Sequence, residues 1–206
     1  MTESAALQAH RAWLVDLDGT LYDARWLKLA MLVELGLLGV PDWRLVRQFR
    51  RQHEQLRAEA YTGELTPFEE QLRRTAAALS TPPAQILDRI DEWMVRRPCK
   101  WVRMFRRRSL LAEIRTFRAS GGRTALVSDY PAKQKLEALR ALSLFDTVVA
   151  NGEPGGPGRL KPAPDGLLLA ARTLAVAPED CLVLGDREDA DGAAARAAGM
   201  GFRLVR

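Results

Sequence analysis

The sequence has few of the residues that build disulfide frameworks, zinc sites or histidine-based catalytic triads. Its 206 residues include two cysteines and two histidines, and His10 and His53 lie far apart along the chain. Two cysteines cannot form a disulfide framework in a chain of this length, and neither Cys99 nor Cys181 has a metal-type neighbour in the sequence. We therefore expect both cysteines to be packing residues, and we expect neither a histidine metal site nor a Ser/His/Asp triad.

Long apolar runs are also missing. The most apolar stretch, residues 27–40, contains Lys28 and Glu34 and is shorter than a bilayer-spanning helix. The first ten residues lack the basic start and the apolar run of a secretory signal. We expect a soluble, cytoplasmic protein with no membrane partner, either a monomer or a homodimer.

Positive charge is concentrated in the middle of the chain. The net charge is +5, and residues 24–120 carry 19 Lys and Arg against 11 Asp and Glu. A basic surface attracts nucleic acid, acidic lipid or a small phosphorylated ligand, and charge alone does not choose among them.

The spacing of apolar residues predicts helices in the middle of the chain and alternating strands and helices elsewhere. Residues 24–105 have helical periodicity, and Thr66 followed by Pro67 and Glu69 is typical of a capping box. Strands are predicted at 12–15, 124–127, 147–150, 181–184 and 202–205, with helices at 131–142, 164–174 and 189–198. This alternation indicates an α/β fold, a parallel sheet with helices on both faces, interrupted by a helical insert.

Polar residues follow the carboxyl ends of the predicted strands, where open α/β sheets bind their ligands. The residues concerned, in chain order, are Asp16, Asp18, Ser128, Asp129, Lys161, Asp186, Asp189 and Asp191. Because the strands are parallel, we expect these side chains to converge at one edge of the sheet.

Converging carboxylates repel one another unless a cation lies between them, and a set of oxygen ligands without histidine favours Mg²⁺. A carboxylate such as Asp16 can then attack phosphorus, while Asp18 protonates the leaving oxygen and afterwards activates water. Ser128 and Lys161 would hold the phosphoryl oxygens, where negative charge develops in the transition state.

Four segments resemble, in order, the four motifs of the haloacid-dehalogenase-like hydrolases. They are residues 16–21 (DLDGTL), 127–129 (VSD), 160–165 (LKPAPD) and 183–186 (VLGD), the last with Asp189 and Asp191. The resemblance implies a Rossmann-like parallel core formed by residues 1–22 and 107–206. It also implies that residues 23–106 form an inserted, all-helical cap domain.

The resemblance implies a metal-binding and proton-transfer role for several carboxylates. Asp16 is the nucleophile and a ligand of Mg²⁺. Asp18 is the general acid and base, and its backbone carbonyl also binds the metal. Asp186 is the acidic metal ligand, either directly or through water. Asp189 and Asp191 stay as alternatives for holding a metal-bound water or orienting the catalytic lysine.

The resemblance also implies that Ser128 and Lys161 bind the phosphoryl group with the Asp129 amide nearby. In the insert, we expect most basic side chains to be solvated and one or two to meet an anionic substrate at the active site, with no nucleic-acid partner. We expect Trp43, Trp93 and Trp101 to pack inside the cap. The basic residues concerned are Arg44, Arg47, Arg50, Arg51, Arg73, Arg74, Arg96, Arg97, Lys100, Arg103, Arg106, Arg107 and Arg108.

Together these features predict a Mg²⁺-dependent phosphatase that hydrolyses a small phosphorylated metabolite through an aspartyl-phosphate on Asp16. A phosphomutase of the β-phosphoglucomutase type is an alternative, since it uses the same core. A non-catalytic binding protein on this fold is another. Dehalogenation is disfavoured because it needs no leaving-group acid, and dehalogenases of this family lack a second aspartate such as Asp18.

Overall fold

The computed structural model describes residues 10–38 and 42–206. Within these residues, five parallel strands form one sheet in the order β3-β2-β1-β4-β5. The strands are β1 (Ala12–Val15), β2 (Arg123–Ser128), β3 (Thr147–Ala150), β4 (Cys181–Gly185) and β5 (Gly201–Leu204). The predicted α/β fold and its parallel sheet are therefore confirmed, with each predicted strand end within one residue of the observed one.

Both faces of the sheet are covered because side chains alternate along each strand. Trp13 and Val15 pack with helices α6 (Arg108–Ala119) and α7 (Lys133–Leu139) on one face. Ala12 and Leu14 pack with α8 (Asp165–Leu174) and α9 (Ala193–Ala197) on the other face. The first strand is consequently buried on both sides, which explains why all four of its residues are apolar.

The order of the strands sets the position of a ligand-binding crevice. β1 pairs with β2 on one side and with β4 on the other. The chain moves outward from β1 to β3 and then crosses to β4, so the winding reverses between β1 and β4. A crevice forms at such a switch point, beyond the carboxyl ends of the strands.

Among the described residues, five α-helices lie between β1 and α6 in the sequence, in agreement with the predicted helical insert, which is called the cap below. Phe49, Ala76, Ile86 and Ile90 form a separate apolar core within it. The cap helices are α1 (Ala24–Leu38), α2 (Trp43–Ala58), α3 (Pro67–Leu79), α4 (Pro83–Ile90) and α5 (Arg97–Met104), with a π-helical stretch, Asp91–Arg96, joining α4 to α5.

The chain enters and leaves the cap side by side. Tyr22 and Arg106 form an antiparallel bridge. Next to it, Asp23 N donates to Phe105 O at 2.9 Å, and the amide of residue 107 donates to the carbonyl of residue 21 at the same distance. These backbone contacts lie at the predicted domain boundaries, 22/23 and 106/107, although the division into two domains stays a prediction. Among the described residues, no helix has the length and apolar character of a membrane span.

Two helices differ from the sequence prediction. The segment predicted at 131–142 ends as an α-helix at Leu139, because Arg140 adopts a left-handed conformation with φ of +53°. The helix predicted at 189–198 begins instead with a π-helical turn, Glu188–Gly192, before α9. Gly192 N donates to Arg187 O at 3.2 Å, a spacing of five residues that widens the turn.

The capping box at Thr66 provides a test of how the cap is stabilised. Its hydroxyl accepts from Glu69 N at 3.3 Å, and the Glu69 carboxylate accepts from Thr66 N at 2.9 Å. We expect Thr66→Ala to lower the free energy of unfolding by about 1 kcal/mol, measured by urea denaturation. Thr62→Ala, in the exposed loop before the helix, is the control and should change it little. Equal stability of the two variants would contradict this role of Thr66.

Candidate active site

The loop after β1 holds the first carboxylate of the site. Asp16 N donates to Leu184 O at 2.8 Å, which continues the pairing of β1 with β4 and fixes the Asp16 side chain at the switch point. Thr20 Oγ1 donates to Asp16 Oδ2 at 3.0 Å. The turn between them needs Gly19, which has φ of +97° and lies so close to Asp186 that a Cβ would be 2.1 Å from Asp186 Oδ2.

Lys161 connects the carboxylates that follow different strands. It is 5% exposed. Its Nζ donates to Asp16 Oδ1 and to Asp191 Oδ1, both at 2.6 Å, and to Val127 O at 3.2 Å. These three acceptors use all the donors of the ammonium group. The sequence-predicted lysine therefore lies between the candidate nucleophile and one of the two alternative acids.

Three carboxylates form a cluster at this edge of the sheet. Oxygens of Asp16, Asp186 and Asp191 lie within 4.8 Å of one another. Asp191 is buried, and its Oδ2 also accepts from Arg187 N at 3.1 Å, across the π-helical turn. In the described part of the chain, the Asp186 carboxylate accepts no hydrogen bond from another side chain, so it keeps free lone pairs.

The cluster is short of positive charge. Burial raises the pKa of Asp16 to about 8, although the Lys161 ammonium acts in the opposite direction. Burial, together with the neighbouring Asp191, also raises the pKa of Asp186. Burial opposes the charge of Lys161, but Asp16 and Asp191 outweigh it and raise the pKa of this lysine. Three carboxylates that share one ammonium group are suited to a further cation.

Asp18 has partners that the sequence did not predict. Lys135 Nζ donates to Asp18 Oδ1 at 2.7 Å, and the Tyr22 hydroxyl donates to the same oxygen. Burial raises the pKa of Asp18, but the Lys135 ammonium and the hydrogen bond from Tyr22 together outweigh burial and leave this pKa below its ordinary value. Asp18 is therefore ionised in this structure, and its side chain faces the same cavity as Asp16.

Ser128 and Asp129 end β2 at the same edge. Ser128 is buried, and its Oγ accepts from Tyr130 N at 3.2 Å, which leaves its own hydrogen free to donate. The Asp129 carboxylate makes contacts that we did not predict. It accepts from Arg57 of the cap at 2.9 Å and from Lys161 N at 3.2 Å, so it links the cap to the loop that carries the lysine.

Asp189 does not reach the site. Its side chain is 70% exposed and pairs with Arg187 at 2.5 Å. The π-helical turn directs Asp191, rather than Asp189, towards Lys161. Of the two alternatives that the sequence left open, the structure therefore brings Asp191 to the site and leaves Asp189 in solvent.

A cavity of about 600 Å³ lies between these residues and the cap and is open to solvent on one side. Within the described ranges, Arg50 is the one member of the predicted basic set that lines it, and Lys28 and Arg57 line it as well. The expectation that Trp43 packs inside the cap is wrong, because this side chain is 45% exposed and borders the cavity. Trp43 is the first residue of α2.

Several residues at the site were not predicted, because their positions in the sequence did not reveal where their side chains point. Lys135 lies in the first turn of α7, which starts at the carboxyl edge of the sheet, and its ammonium group reaches Asp18. That placement was a usable signal. Arg57 and Lys28 lie among many basic residues on helices, and the sequence holds no signal that separates them from solvated ones.

Residues 10–199 match the family of haloacid dehalogenase-like hydrolases, so the chain belongs to that family. No protein with a curated description matches the sequence.

Solved structures share the fold at low sequence identity. The HAD-hydrolase YfnB from Bacillus subtilis, bound to magnesium, is 16% identical with a TM-score of 0.65, covering 94% of this chain and 87% of that chain. β-Phosphoglucomutase from Clostridium difficile is 17% identical with a TM-score of 0.62, covering 94% and 83%. L-2-haloacid dehalogenase from Xanthobacter autotrophicus is 18% identical with a TM-score of 0.63, covering 95% and 77%. Such identities show the fold, and these proteins differ in reaction.

Gly19 allows a direct test of the packing at the site. Gly19→Ala and Gly121→Ala both place a side chain at positive φ. Each should lower the free energy of unfolding, measured by urea titration, by on the order of 1 kcal/mol. Gly121 has open space around it, whereas a methyl group at Gly19 must displace the Asp186 carboxylate. A crystal structure of Gly19→Ala should show Asp186 moved. An unmoved Asp186 in that variant would contradict the close approach described here.

Proposed function

We propose that the chain is a Mg²⁺-dependent phosphatase that hydrolyses a small phosphomonoester through an aspartyl-phosphate on Asp16. The observation that carries the proposal is the contact of a buried lysine with a buried aspartate, Lys161 Nζ to Asp16 Oδ1 at 2.6 Å. A second carboxylate, Asp18, faces the same cavity. Nucleophile, phosphate-binding cation and proton donor are thus available around one volume.

The reaction proceeds in two displacements at phosphorus. In the first, a bond forms between an Asp16 carboxylate oxygen and phosphorus, and the bond from phosphorus to the ester oxygen breaks while Asp18 protonates that oxygen. In the second, water attacks phosphorus, Asp18 accepts a proton from the water, and the bond to Asp16 breaks. Inorganic phosphate leaves and both aspartates are restored.

Asp18 must gain a proton before the first displacement. In this structure Lys135 holds it in the ionised form, which is the form required for activating water in the second displacement. A phosphate dianion entering the cavity adds negative charge near Asp18 and raises its proton affinity. Substrate binding therefore favours the protonated acid at the step that uses it.

Ser128 and Lys161 are suited to bind the phosphoryl oxygens. The Ser128 hydroxyl keeps a free hydrogen because its oxygen accepts from Tyr130 N. The Lys161 ammonium lies beside Asp16, where charge on the phosphoryl oxygens would develop, and donors fixed in advance stabilise a transition state with little reorganisation. We assign the Asp129 amide to the same role, while its carboxylate is held by Arg57.

The carboxylate cluster fits a hard divalent cation. Asp16, Asp186 and Asp191 offer oxygen atoms only. Burial, with the neighbouring Asp191 carboxylate, raises the pKa of Asp16 and of Asp186, so a cation between them would stabilise their ionised forms. Asp16 and Asp186, with the Asp18 carbonyl, would hold Mg²⁺, and Asp191 would orient Lys161. When bound, the cation neutralises charge on the phosphoryl group. The magnesium found in YfnB supports the same choice of metal.

Other reactions of the family are less well supported. A dehalogenase needs no leaving-group acid, whereas Asp18 is present here and lines the cavity. A phosphomutase of the β-phosphoglucomutase type would turn over a sugar phosphate without releasing inorganic phosphate. A non-catalytic binding protein would be unaffected in any phosphatase assay by loss of Asp16. We further propose a cytoplasmic protein, a monomer or homodimer, that acts on a phosphorylated metabolite rather than on nucleic acid.

Asp16→Asn tests the nucleophile. We expect it to abolish Mg²⁺-dependent release of phosphate from a generic aryl phosphate, a loss of at least about a thousandfold, because an amide cannot form the intermediate. Chelation of the metal should do the same to the unmodified protein. Asp189→Asn is the matched control and should keep its activity, since that side chain is in solvent. Full activity of Asp16→Asn, or activity without metal, would rule out this mechanism.

Metal binding can be tested without turnover. Mg²⁺ bound to the folded state raises Tm as its concentration exceeds the dissociation constant. We expect a rise in Tm for the unmodified protein and a loss of most of that rise in Asp186→Asn, with Asp189→Asn again as control. An equal rise in both variants would place the cation outside the carboxylate cluster.

A further inference from the structure

The cavity above the candidate active site has two unlike halves. Its floor is made of the charged and polar residues at the carboxyl edge of the sheet. Its cap side is mostly apolar, and the side chains that matter here are Leu27, Met31, Leu35, Val46, Trp93 and Met94. The catalytic groups therefore face a largely hydrocarbon surface across the cavity.

Most polar groups on the cap side already have partners or lie in water, although Arg57 Nε is buried without a partner among the described residues. Trp93 Nε1 donates to Asp42 at 2.8 Å, so this ring offers the cavity only its apolar surface. Arg57 is bound to Asp129 and Glu54. Lys28 and Arg50 are exposed, which keeps their charges in water at the rim.

The cap side offers no hydroxyl or carboxamide side chain among the described residues that line the cavity. Within residues 10–38 and 42–206, no serine, threonine, asparagine or glutamine of the cap lines the cavity. Hydroxyl groups of a sugar placed against the apolar side chains, away from Lys28, Arg50 and Glu54, would lose their water without gaining partners there, and each unsatisfied group costs about 1–3 kcal/mol. The cap wall is thus poorly suited to a polyol.

The mouth of the cavity exposes apolar surface to water. Leu32 is 52% exposed and Trp43 is 45% exposed, and both border the cavity. A ligand body that covers them would remove this surface from water, and an indole ring adds contact area at small conformational cost. The volume of about 600 Å³ lies in the range of ordinary small-molecule sites.

We propose that the substrate is a phosphomonoester whose alcohol part is an apolar alkyl or aryl body, held between the cap side chains, rather than a sugar or another polyol. This inference rests on the proposed phosphatase function, because the floor of the same cavity binds the phosphate. The apolar body contacts Met31, Leu35, Trp43 and Met94, and its phosphoryl group lies at Asp16 and Lys161.

A series of substrates with matched leaving groups tests the inference. Ethyl, butyl and hexyl phosphate, 2-phenylethyl phosphate, glycerol 3-phosphate and glucose 6-phosphate all release a primary alcohol. We expect kcat/KM to rise about threefold per added methylene along the alkyl series. We also expect 2-phenylethyl phosphate to exceed both polyol phosphates by at least about tenfold. Polyol phosphates that equal or exceed the apolar esters would overturn the inference.

Trp43→Ala tests whether the cap wall is responsible. The dependence of kcat/KM on alkyl chain length should become shallower in this variant, because KM for the longer esters should rise. Trp26→Ala is the matched control, because Trp26 is a tryptophan of the cap that is 57% exposed and does not border the cavity. It should keep the chain-length dependence of the unmodified protein. If Trp43→Ala kept the chain-length dependence of the unmodified protein, this result would contradict the assignment of the cap side as the binding surface.

The substrate series separates the two proposals. Release of phosphate that depends on Mg²⁺ and Asp16 but favours the polyol esters leaves the phosphatase function standing and overturns only the apolar substrate. No Mg²⁺-dependent release from any ester in the series would overturn both.

Discussion

The ammonium group of Lys161 holds the site together. It lies at the end of the loop after β3, yet it bonds to Val127 of β2, to Asp16 after β1 and to Asp191 after β4. One buried cation thereby fixes groups from the four adjacent strands of the sheet. Buried charges are costly unless they are paired and hydrogen-bonded, and removal of Lys161 would leave two carboxylates without a counter-charge. The arrangement of the catalytic edge depends on this contact.

The same lysine is connected to the cap through Asp129. That carboxylate accepts from the backbone of Lys161 and from Arg57 of α2, so it joins the loop that carries Lys161 to the helix that borders the cavity. Asp129, which follows β2, is thus in contact both with the loop that carries Lys161 and with the cap. Under the proposed function, the floor supplies charged groups for chemistry at phosphorus, while the cap supplies the surface that the rest of the substrate contacts. In this account the reaction is a property of the floor, and the choice of substrate is a property of the cap.

The sequence predicts the fold and most of the floor because their signals are local. Short apolar runs mark the strands, and the parallel arrangement brings the residues at their carboxyl ends to one edge. The sequence does not distinguish Asp189 from Asp191, because it predicts a regular helix where a π-helical turn directs Asp191 inward. Nor does it reveal Arg57 or the exposure of Trp43. Both depend on the angles at which cap helices pack, and helical periodicity identifies a buried face without naming its partner.

The most direct test of the account is the chemical state of Asp16 during turnover. An acyl-phosphate is reduced by borohydride, so a reaction with an alkyl phosphate and Mg²⁺, quenched in acid and then reduced, can be mapped by peptide mass spectrometry. The account predicts homoserine at position 16 in the treated protein and unmodified aspartate when substrate is omitted. Phosphate release with Asp16 unmodified, or with the phosphoryl group on another residue, would contradict it.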